Sequence, residues 1–359
     1  MDETHPSPRS LTIYDVARHA GVSIASVSRV LNGRNSPRPE TRERVLRAVA
    51  ELGFVPDGAA RALSSRLKEV VGVVFRRPVD EFSVSDEGEN LLFVDVINRG
   101  VEIAARRQSF SVLIASVDVF DTHPDARIDS VAGKSDGLIL HDPLLSAEGI
   151  GRVAKRTPIV TLAGSVTPNS VNVRVDNEHG IRELVRHLIA EHGYRSLAYL
   201  GAHENSPDSV ARGEAFAAAI ERAGAEGISG PEWRGNYMAD GGARVIRNLF
   251  ARNGSLPRAI VCANDQTALG VLYALAERGV RVPEDVAVTG FDDIPVARHM
   301  RPQLTTVRQP IQKLGATAFD VLFSLINGER PPGTEIVLPT ELIVRGSCGC
   351  PAETAVPWD

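Results

Sequence analysis

The hydrophobic pattern near the N-terminus is helical. Small and apolar residues recur at spacings of three and four in two neighbouring segments: Val16, Ala17 and Ala20, then Val27, Val30 and Leu31. Residues at this spacing share one face of a helix, so each segment is expected to bury that face. Gly21 lies between the segments and supplies the backbone freedom of a tight turn. The pattern predicts a helix-turn-helix whose second helix is capped by Ser23.

A third helical pattern runs from Glu40 to Leu52. Its apolar positions are Val45, Leu46, Val49 and Leu52, and the charged residues expected to face water are Arg42, Glu43, Arg44 and Arg47. Gly53 is expected to end this helix. Three helices within about forty residues are typical of a DNA-binding head.

From Val70 onward, short apolar runs alternate with helical segments, a pattern typical of parallel α/β sheets. The runs predicted to be strands are Val70–Phe75, Val112–Ala115, Gly137–Leu140, Ile159–Leu162, Ser196–Leu200, Ala259–Cys262 and Val286–Gly290. The segments predicted to be helices are Leu92–Gln108, Gly180–His192, Ser209–Ala223, Gly241–Asn253 and Thr267–Arg278. Because the series restarts at Ser196, we expect two doubly wound lobes with a ligand cleft between them, at the carboxyl ends of the strands.

Charge is distributed unevenly along the 359 residues. The net charge is −5, yet residues 1–66 contain ten arginines against seven acidic side chains. A local basic excess favours contact with a phosphate backbone, and an acidic remainder limits non-specific binding. The polar start, Met1–Ser10, is expected to be a disordered tail, and no apolar run approaches the ~20 residues that span a bilayer. We therefore expect a cytoplasmic protein with no membrane partner.

The segment after the head interrupts the helical pattern at Phe54–Asp57. Asp57 is a suitable cap for a helix over Gly58–Ser65, which is too short to be stable alone in water. Two interpretations stay open from the residues alone. The segment is either a flexible linker or a helix that forms only on DNA, with Leu63 as an apolar wedge in the minor groove.

The cysteines and the absence of catalytic motifs argue against an enzyme. Cys262 lies in an apolar run and is expected to be a core residue. Cys348 and Cys350 could supply half of a metal site, but no second Cys or His pair is near them in the sequence, so we expect no metal. The sequence contains no glycine-rich phosphate loop and no nucleophile elbow. We expect no catalytic residue and no cofactor.

Eight motifs in register resemble the LacI/GalR family of bacterial transcription regulators, from Leu11 to about Ser347. They are Thr12–Ala17, Val22–Asn32, Phe54–Pro56, Arg61–Leu63, Ala263–Gly270, Gly290–Asp293, Leu304–Pro310 and Leu338–Leu342. The resemblance implies a helix-turn-helix head (11–56), a hinge helix or linker (57–67) and a two-lobed, doubly wound, periplasmic-binding-protein-like effector core (68–350), with a tail at 351–359. Within the core it implies an N-lobe of 68–174 plus 305–337 and a C-lobe of 175–304 plus 338–350.

The resemblance also implies which residues meet DNA. Ile24, Ala25 and Arg29 match the base-facing positions of the recognition helix, where a guanidinium can pair with guanine and apolar groups can meet thymine methyls. Other residues on that surface, several of them positioning the DNA backbone, are Thr12, Ser23, Ser26, Ser28 and Asn32. Arg61, Ala62 and Leu63 match the hinge-helix wedge, a role that requires the paired hinges of a homodimer.

Six positions match the family's effector cleft: His141, Arg212, Phe216, Tyr237, Asn264 and Asp292. Arg, Asp and Asn side chains around aromatic faces can satisfy several hydroxyls, as a sugar requires. Two alternatives stay open here, because Asn264 and Asp265 could instead cap the helix at Thr267 and Phe216 could belong to the core.

The expected function is a repressor of carbohydrate-metabolism genes that binds a palindromic operator as a dimer and responds to a small sugar-like effector. The alternative is control of the same fold by a partner protein, or by a corepressor such as a nucleobase. A tetramer is not expected, because the chain after Leu342 is too short for a heptad-bearing tail.

Overall fold

The computed structural model describes residues 11–31, 38–54, 67–77, 84–118, 121, 123–141 and 144–351, with the backbone alone at 77 and 84–92. The chain divides into two compact units, Met1–Glu69 and Val70–Asp359. The predicted terminal tail at 1–10 and nearly all of the predicted hinge and C-terminal tail lie outside the described residues.

The first unit contains the three predicted helices: α1 (Ile13–Ala20), α2 (Ile24–Leu31) and α3 (Pro39–Leu52). Val16, Val27 and Val45 are fully buried at the centre of its core. Gly21 ends α1 with a φ of 61°, the left-handed conformation expected of the turn. The helix-turn-helix prediction is therefore confirmed in these residues.

One prediction for α3 is wrong. Leu46 is 48% exposed, because Val45 and Ala48 already face the core and its own position on the helix turns away from them. Arg44 is exposed, as predicted, and its guanidinium also donates hydrogen bonds to the carbonyl oxygens of Ala20 and Gly21, at 2.5 Å and 2.7 Å. Arg44 thus binds the open carbonyl end of α1 at the turn.

The second unit is built on two sheets. The strands are β1 (Val70–Arg77), β2 (Ser111–Asp118), β3 (Gly137–His141), β4 (Ile159–Leu162), β5 (Val171–Val175), β6 (Ser196–Leu200), β7 (Glu226–Ile228), β8 (Ala259–Cys262), β9 (Ala287–Asp292), β10 (Thr305–Arg308), β11 (Glu335–Leu338) and β12 (Glu341–Ile343). The first sheet has the order β11-β5-β4-β3-β1-β2 and the second β12-β10-β9-β8-β6-β7. All pairings are parallel except β12 against β10.

Helices cover these sheets, as doubly wound lobes require. They are α4 (Val84–Arg107), α5 (Asp125–Ala132), α6 (Ala147–Ala154), α7 (Asn177–Ala190), α8 (Pro207–Ala223), α9 (Ala239–Ala251), α10 (Asp265–Ala276) and α11 (Ile311–Ile326). Helix α4 begins eight residues before the predicted Leu92. Gly315 of α11 allows close backbone contact with α4, since a Cβ there would collide with the carbonyl of Ile97.

The chain passes between the two sheets after β5, after β10 and after β11. One predicted lobe boundary needs correction. Residues 305–308 were assigned to the N-lobe, but Thr305–Arg308 is strand β10 and pairs with β9 in the second sheet. The crossing therefore follows Arg308, and the polypeptide enters the first lobe with α11.

Candidate functional site

The exposed face of α2 carries the residues expected to meet DNA bases. Ile24 is 41% exposed, and Ala25 and Arg29 are exposed as well. The Arg29 Nε atom donates to the carbonyl of Ala25 at 3.1 Å, so this side chain lies along its own helix. The helix thus presents one guanidinium beside two apolar groups.

The hydroxyl-bearing residues around α2 are engaged in local contacts. Ser23 Oγ accepts a hydrogen bond from Ser26 N at 3.2 Å, as its predicted capping role requires, while Ser26 and Ser28 are half-buried. Thr12 donates from its backbone N and its Oγ1 to Asp15 at the start of α1. The remaining DNA-contact predictions lie outside the described residues: Asn32, Arg61, Ala62 and Leu63.

In the second unit, parallel strands bring distant polar residues to one edge. His141 ends β3 in the first sheet, Asp292 ends β9 in the second, and Asn264 follows β8. The carboxyl ends of parallel strands meet at the same side of a sheet, where doubly wound folds bind ligands. The carboxylate of Asp208, in the first turn of α8, acts electrostatically on both His141 and Asp292.

Arg212 makes three polar contacts in this cleft. Its Nε donates to Asn177 Oδ1 at 2.8 Å, its Nη1 donates to the carbonyl of Ala263 at 2.6 Å, and its Nη2 lies 3.7 Å from Asp208 Oδ2. The guanidinium carbon sits 3.7 Å from the centre of the Phe291 ring. A buried cation is thereby held by hydrogen bonds, an ion pair and an aromatic face.

Asp292 is a buried carboxyl group, and the Gln309 amide donates a hydrogen bond to its Oδ1 at 2.5 Å. Burial raises the pKa of Asp292 to about 7, and the nearby Arg212 charge opposes that shift. Its φ of 125° is rare for a residue with a side chain. Tyr237 also has a positive φ, 68°. Backbone strain of this kind, about 1–3 kcal/mol per residue, concentrates at ligand sites.

Tyr237 and Asn264 are linked to each other. The Asn264 amide donates to the carbonyl of Tyr237 at 3.0 Å, while its Oδ1 accepts from Thr267 N and caps α10. The capping alternative for Asn264 is thus confirmed. The Tyr237 hydroxyl shares a 2.9 Å hydrogen bond with Ser206 Oγ, and burial raises the pKa of this phenol.

The histidines of the cleft are uncharged near neutral pH. Burial lowers the pKa of His141 to about 4, even though Asp208 acts in the opposite direction. Its ring lies against Phe75 and Phe93, with centroids 5.5 Å and 5.8 Å away. Burial also lowers the pKa of His203, whose ring faces Tyr237 edge-on. A neutral imidazole offers one donor and one acceptor.

Phe216 takes a different place from the one implied by the resemblance. It is 2% exposed and stacks on Tyr199 with ring centroids 5.6 Å apart, so its contacts are those of a core residue. Phe291 provides the aromatic face at Arg212 instead. Sequence reasoning also missed Asn177 and Asp208, although both occupy the first turns of helices, where polar side chains meet the carboxyl edge of a sheet.

Asp265 is a buried acidic residue that connects the elements next to Asp292. This fully buried carboxylate accepts hydrogen bonds from Thr306 Oγ1 at 2.5 Å and from Ile294 N at 2.9 Å. Burial, with Asp292 nearby, raises its pKa well above the usual value. These contacts tie α10, β10 and the loop after β9 together.

Cys348 and Cys350 were expected to have no second Cys or His pair near them, and the fold shows that this is wrong. The side chains of His187 and His192 lie beside them, and the four ligand-type atoms fall within 4.8 Å of one another. The separation of about 160 residues in sequence hid this grouping.

Comparison with known proteins identifies the chain. Residues 12–57 match the bacterial regulatory proteins of the lacI family, and residues 185–348 match a periplasmic binding protein-like domain. Catabolite control protein A of Priestia megaterium is 30% identical over 94% of this chain and 99% of its own length. The chain belongs to the LacI family of bacterial regulatory proteins.

Solved structures of LacI-family proteins agree in fold. A lac repressor dimer bound to operator and the anti-inducer ONPF has a TM-score of 0.83 at 28% identity, with 95% of this chain and 99% of that chain covered. A complex of the transcriptional regulator CelR with cellobiose has a TM-score of 0.66 at 30% identity, with 94% and 99% covered. The chain is thus a DNA-binding transcriptional regulator rather than an enzyme. Among the described residues, no helix is long and apolar enough to cross a membrane.

Proposed function

We propose that this chain is a repressor that binds a two-fold symmetric operator as a homodimer and responds to a sugar-like effector held between its lobes. The observation that carries the effector class is the arrangement of Arg212 over Phe291 with the carboxylates Asp208 and Asp292 nearby. The guanidinium and the carboxyl groups offer donors and acceptors for several hydroxyls, and the Phe291 ring holds the guanidinium in place.

Further groups around Arg212 suit hydroxyls. His141 and His203 are neutral donor–acceptor groups, and the Tyr237 hydroxyl is a third neutral group of this kind. A neutral polyol gains from many such contacts, whereas a multiply anionic ligand would face the half-buried Asp208 and the buried Asp292. The CelR structure, which holds cellobiose, supports the sugar-like effector, and the lac repressor structure, which holds operator, supports the binding of DNA.

For DNA, we infer that Arg29 pairs with guanine and that Ile24 and Ala25 contact apolar base edges. The paired heads of a homodimer fit inverted half-sites, because operator symmetry mirrors protein symmetry. Selection of bound fragments from the source genome by the full chain would give the operator. Recovery of a palindromic motif is expected, and enrichment of no motif over random duplex would refute the proposal.

The effector class is tested with a panel of mono- and disaccharides added to the purified chain. At about a hundredfold excess over Kd, a bound sugar adds ~2.7 kcal/mol to the free energy of unfolding. Arg212→Lys and Asp292→Asn should abolish that gain, whereas Arg244→Lys, at an exposed residue of α9, should leave it unchanged. The sugar assignment fails if no sugar stabilises the chain, if a nucleobase does so instead, or if the Arg212 and Asp292 variants respond like the parent.

A further inference from the structure

A cluster of two histidines and two cysteines lies away from the effector cleft, at the end of the second lobe. His187 is in the last turn of α7, and His192 follows that helix. Cys348 ends a short 3-10 turn, Gly346–Cys348, and Cys350 follows one residue after it. His187 and Cys348 are buried, while His192 and Cys350 are half-buried.

We propose that His187, His192, Cys348 and Cys350 form a structural zinc site that fastens the C-terminal segment to α7. Two imidazoles and two thiolates are a donor set that zinc takes in closed, four-coordinate sites. Soft sulfur with nitrogen in a tetrahedral arrangement disfavours magnesium and calcium, which take oxygen ligands.

Four of the six distances between the donor atoms match the edges of a tetrahedron around zinc. Zinc bonds of about 2.3 Å to sulfur and 2.0–2.1 Å to nitrogen imply edges of about 3.4 Å between two nitrogens and about 3.6 Å between nitrogen and sulfur. The two Nε2 atoms are 3.3 Å apart. His187 Nε2 lies 3.5 Å from Cys348 Sγ and 3.7 Å from Cys350 Sγ, and His192 Nε2 lies 3.5 Å from Cys350 Sγ.

A hydrogen-bonded cluster explains this geometry less well. Without a metal, the two imidazole nitrogens face each other, and their hydrogen bonds with the thiols are long and weak. A metal at the common centre satisfies all four groups at once. Zinc binding would release the two thiol protons to solvent, including the one that Cys348 donates to the Arg345 carbonyl at 3.2 Å.

The surroundings hold the four side chains in place. His192 stacks on Tyr194 with ring centroids 5.1 Å apart, and the Tyr194 hydroxyl donates to the carbonyl of Cys348 at 2.9 Å. Gly349 has a φ of 108°, and a Cβ there would lie 2.9 Å from the Tyr194 oxygen and 3.3 Å from His192 Nδ1. Glycine between the cysteines therefore lets both sulfur atoms face the histidines. Fixed outer contacts of this kind orient ligands in metal sites.

The position of the cluster gives the proposed metal a structural role. Helix α7 is the first element after the chain enters the second lobe, and Cys348–Cys350 follows β12, after the last crossing into that lobe. Four protein ligands leave no open position for a substrate. The metal would join the first and last elements of one lobe.

The test is elemental analysis of the full chain after reduction, zinc reconstitution and removal of loosely bound ions. About one zinc ion per chain is expected, and Cys348→Ser/Cys350→Ser should retain less than about a tenth of it. Cys262→Ala, at a buried cysteine outside the cluster, should retain all of it. Zinc content below stoichiometry in the parent, or equal content in the double serine variant, would overturn the proposal.

Cobalt substitution tests which residues are ligands, and mass measurement tests whether the two cysteines form a disulfide instead. The cobalt-loaded parent should show the absorption bands of a tetrahedral ion with thiolate ligands, and His192→Gln should weaken or shift them even if the serine variant folds poorly. An unchanged spectrum in His192→Gln would remove that residue from the site and contradict the four-ligand assignment. A persistent Cys348–Cys350 disulfide, two mass units below the reduced chain and resistant to zinc loading, would contradict the metal site itself.

Discussion

Asp292 is the residue whose protonation the fold alters in the most testable way. Burial raises its pKa from 3.8 to about 7, so between these values the folded chain holds a proton that the unfolded chain has lost. A folded state that binds more protons loses stability as pH rises. This group therefore lowers the free energy of unfolding as pH increases from about 4 to about 7.

Asp292→Asn removes that dependence and keeps an oxygen for the Gln309 amide. We expect the stability of the variant relative to the parent to increase across this pH range and to level off above it, in denaturant titrations at a series of pH values. Asp285→Asn is the matched control. Arg281 lowers the pKa of Asp285 to about 2, so its effect should be constant over the same range. A flat difference for Asp292→Asn would show that its carboxyl group is ionised throughout.

Arg29 carries the expected hydrogen-bonding contact to bases on α2. Arg29→Ala should weaken binding to the selected operator by about 1–3 kcal/mol, or roughly 5- to 150-fold, with a much smaller effect on random duplex. Arg47→Ala, on α3 and paired with Glu43 at 3.0 Å, is the control that removes a head arginine elsewhere. Fluorescence anisotropy at fixed salt measures both. Equal operator affinity for parent and Arg29→Ala would place the recognition surface elsewhere.

Several residue roles were accessible from the sequence, and others depended on the fold. Ser23 as a cap follows from local chemistry, because a cap and its amide are three residues apart. The family resemblance implied a cleft position for Phe216 and left a core role open, because the sequence does not tell which side of the helix meets the ligand and which meets the core. Asp208 lies one helical turn from Arg212, a local spacing, but its contact with Asn177 joins two separate helices. The contacts of His187 with Cys348 and Cys350 join residues about 160 positions apart, and no local pattern reports them.

At the scale of elements, Arg44 links α3 to the turn between α1 and α2. Arg44→Met keeps the apolar stem but removes three hydrogen bonds to the carbonyls of Ala20 and Gly21. Loss of charged hydrogen bonds should reduce head stability by about 1–3 kcal/mol. Hydrogen exchange of the α1–α3 amides in the full chain measures this, with the exposed Arg42→Met as control. Unchanged protection would mean that the turn holds without Arg44.

The elements predicted best were those with the strongest local pattern. Strands such as Ile159–Leu162 are continuous apolar runs because both faces of their sheet are covered. Strand β5, Val171–Val175, was missed because Asn172 and Arg174 interrupt its apolar residues. Short β11 and β12 were missed for a related reason, since they lie at sheet edges and gain their pairing from strands distant in sequence.

At the scale of the molecule, repression of a symmetric site requires two copies of the chain. We expect sedimentation velocity to show a dimer, and one dimer to bind one palindromic operator with both half-sites occupied. Destroying one half-site should reduce affinity far more than changing an equal number of bases outside the operator. A monomer that binds single half-sites with full affinity would contradict this part of the proposal.

The central claim is that binding of the effector changes the affinity for the operator, and that binding of the operator changes the affinity for the effector. The direct measurement is operator affinity with and without a saturating sugar found by the stability panel, together with sugar affinity with and without operator. Linkage requires both affinities to change by the same factor, typically about 5- to 150-fold, in either direction. We predict such a reciprocal change in the parent and none in Arg212→Lys. A sugar that binds the cleft and leaves operator affinity unchanged would contradict the account.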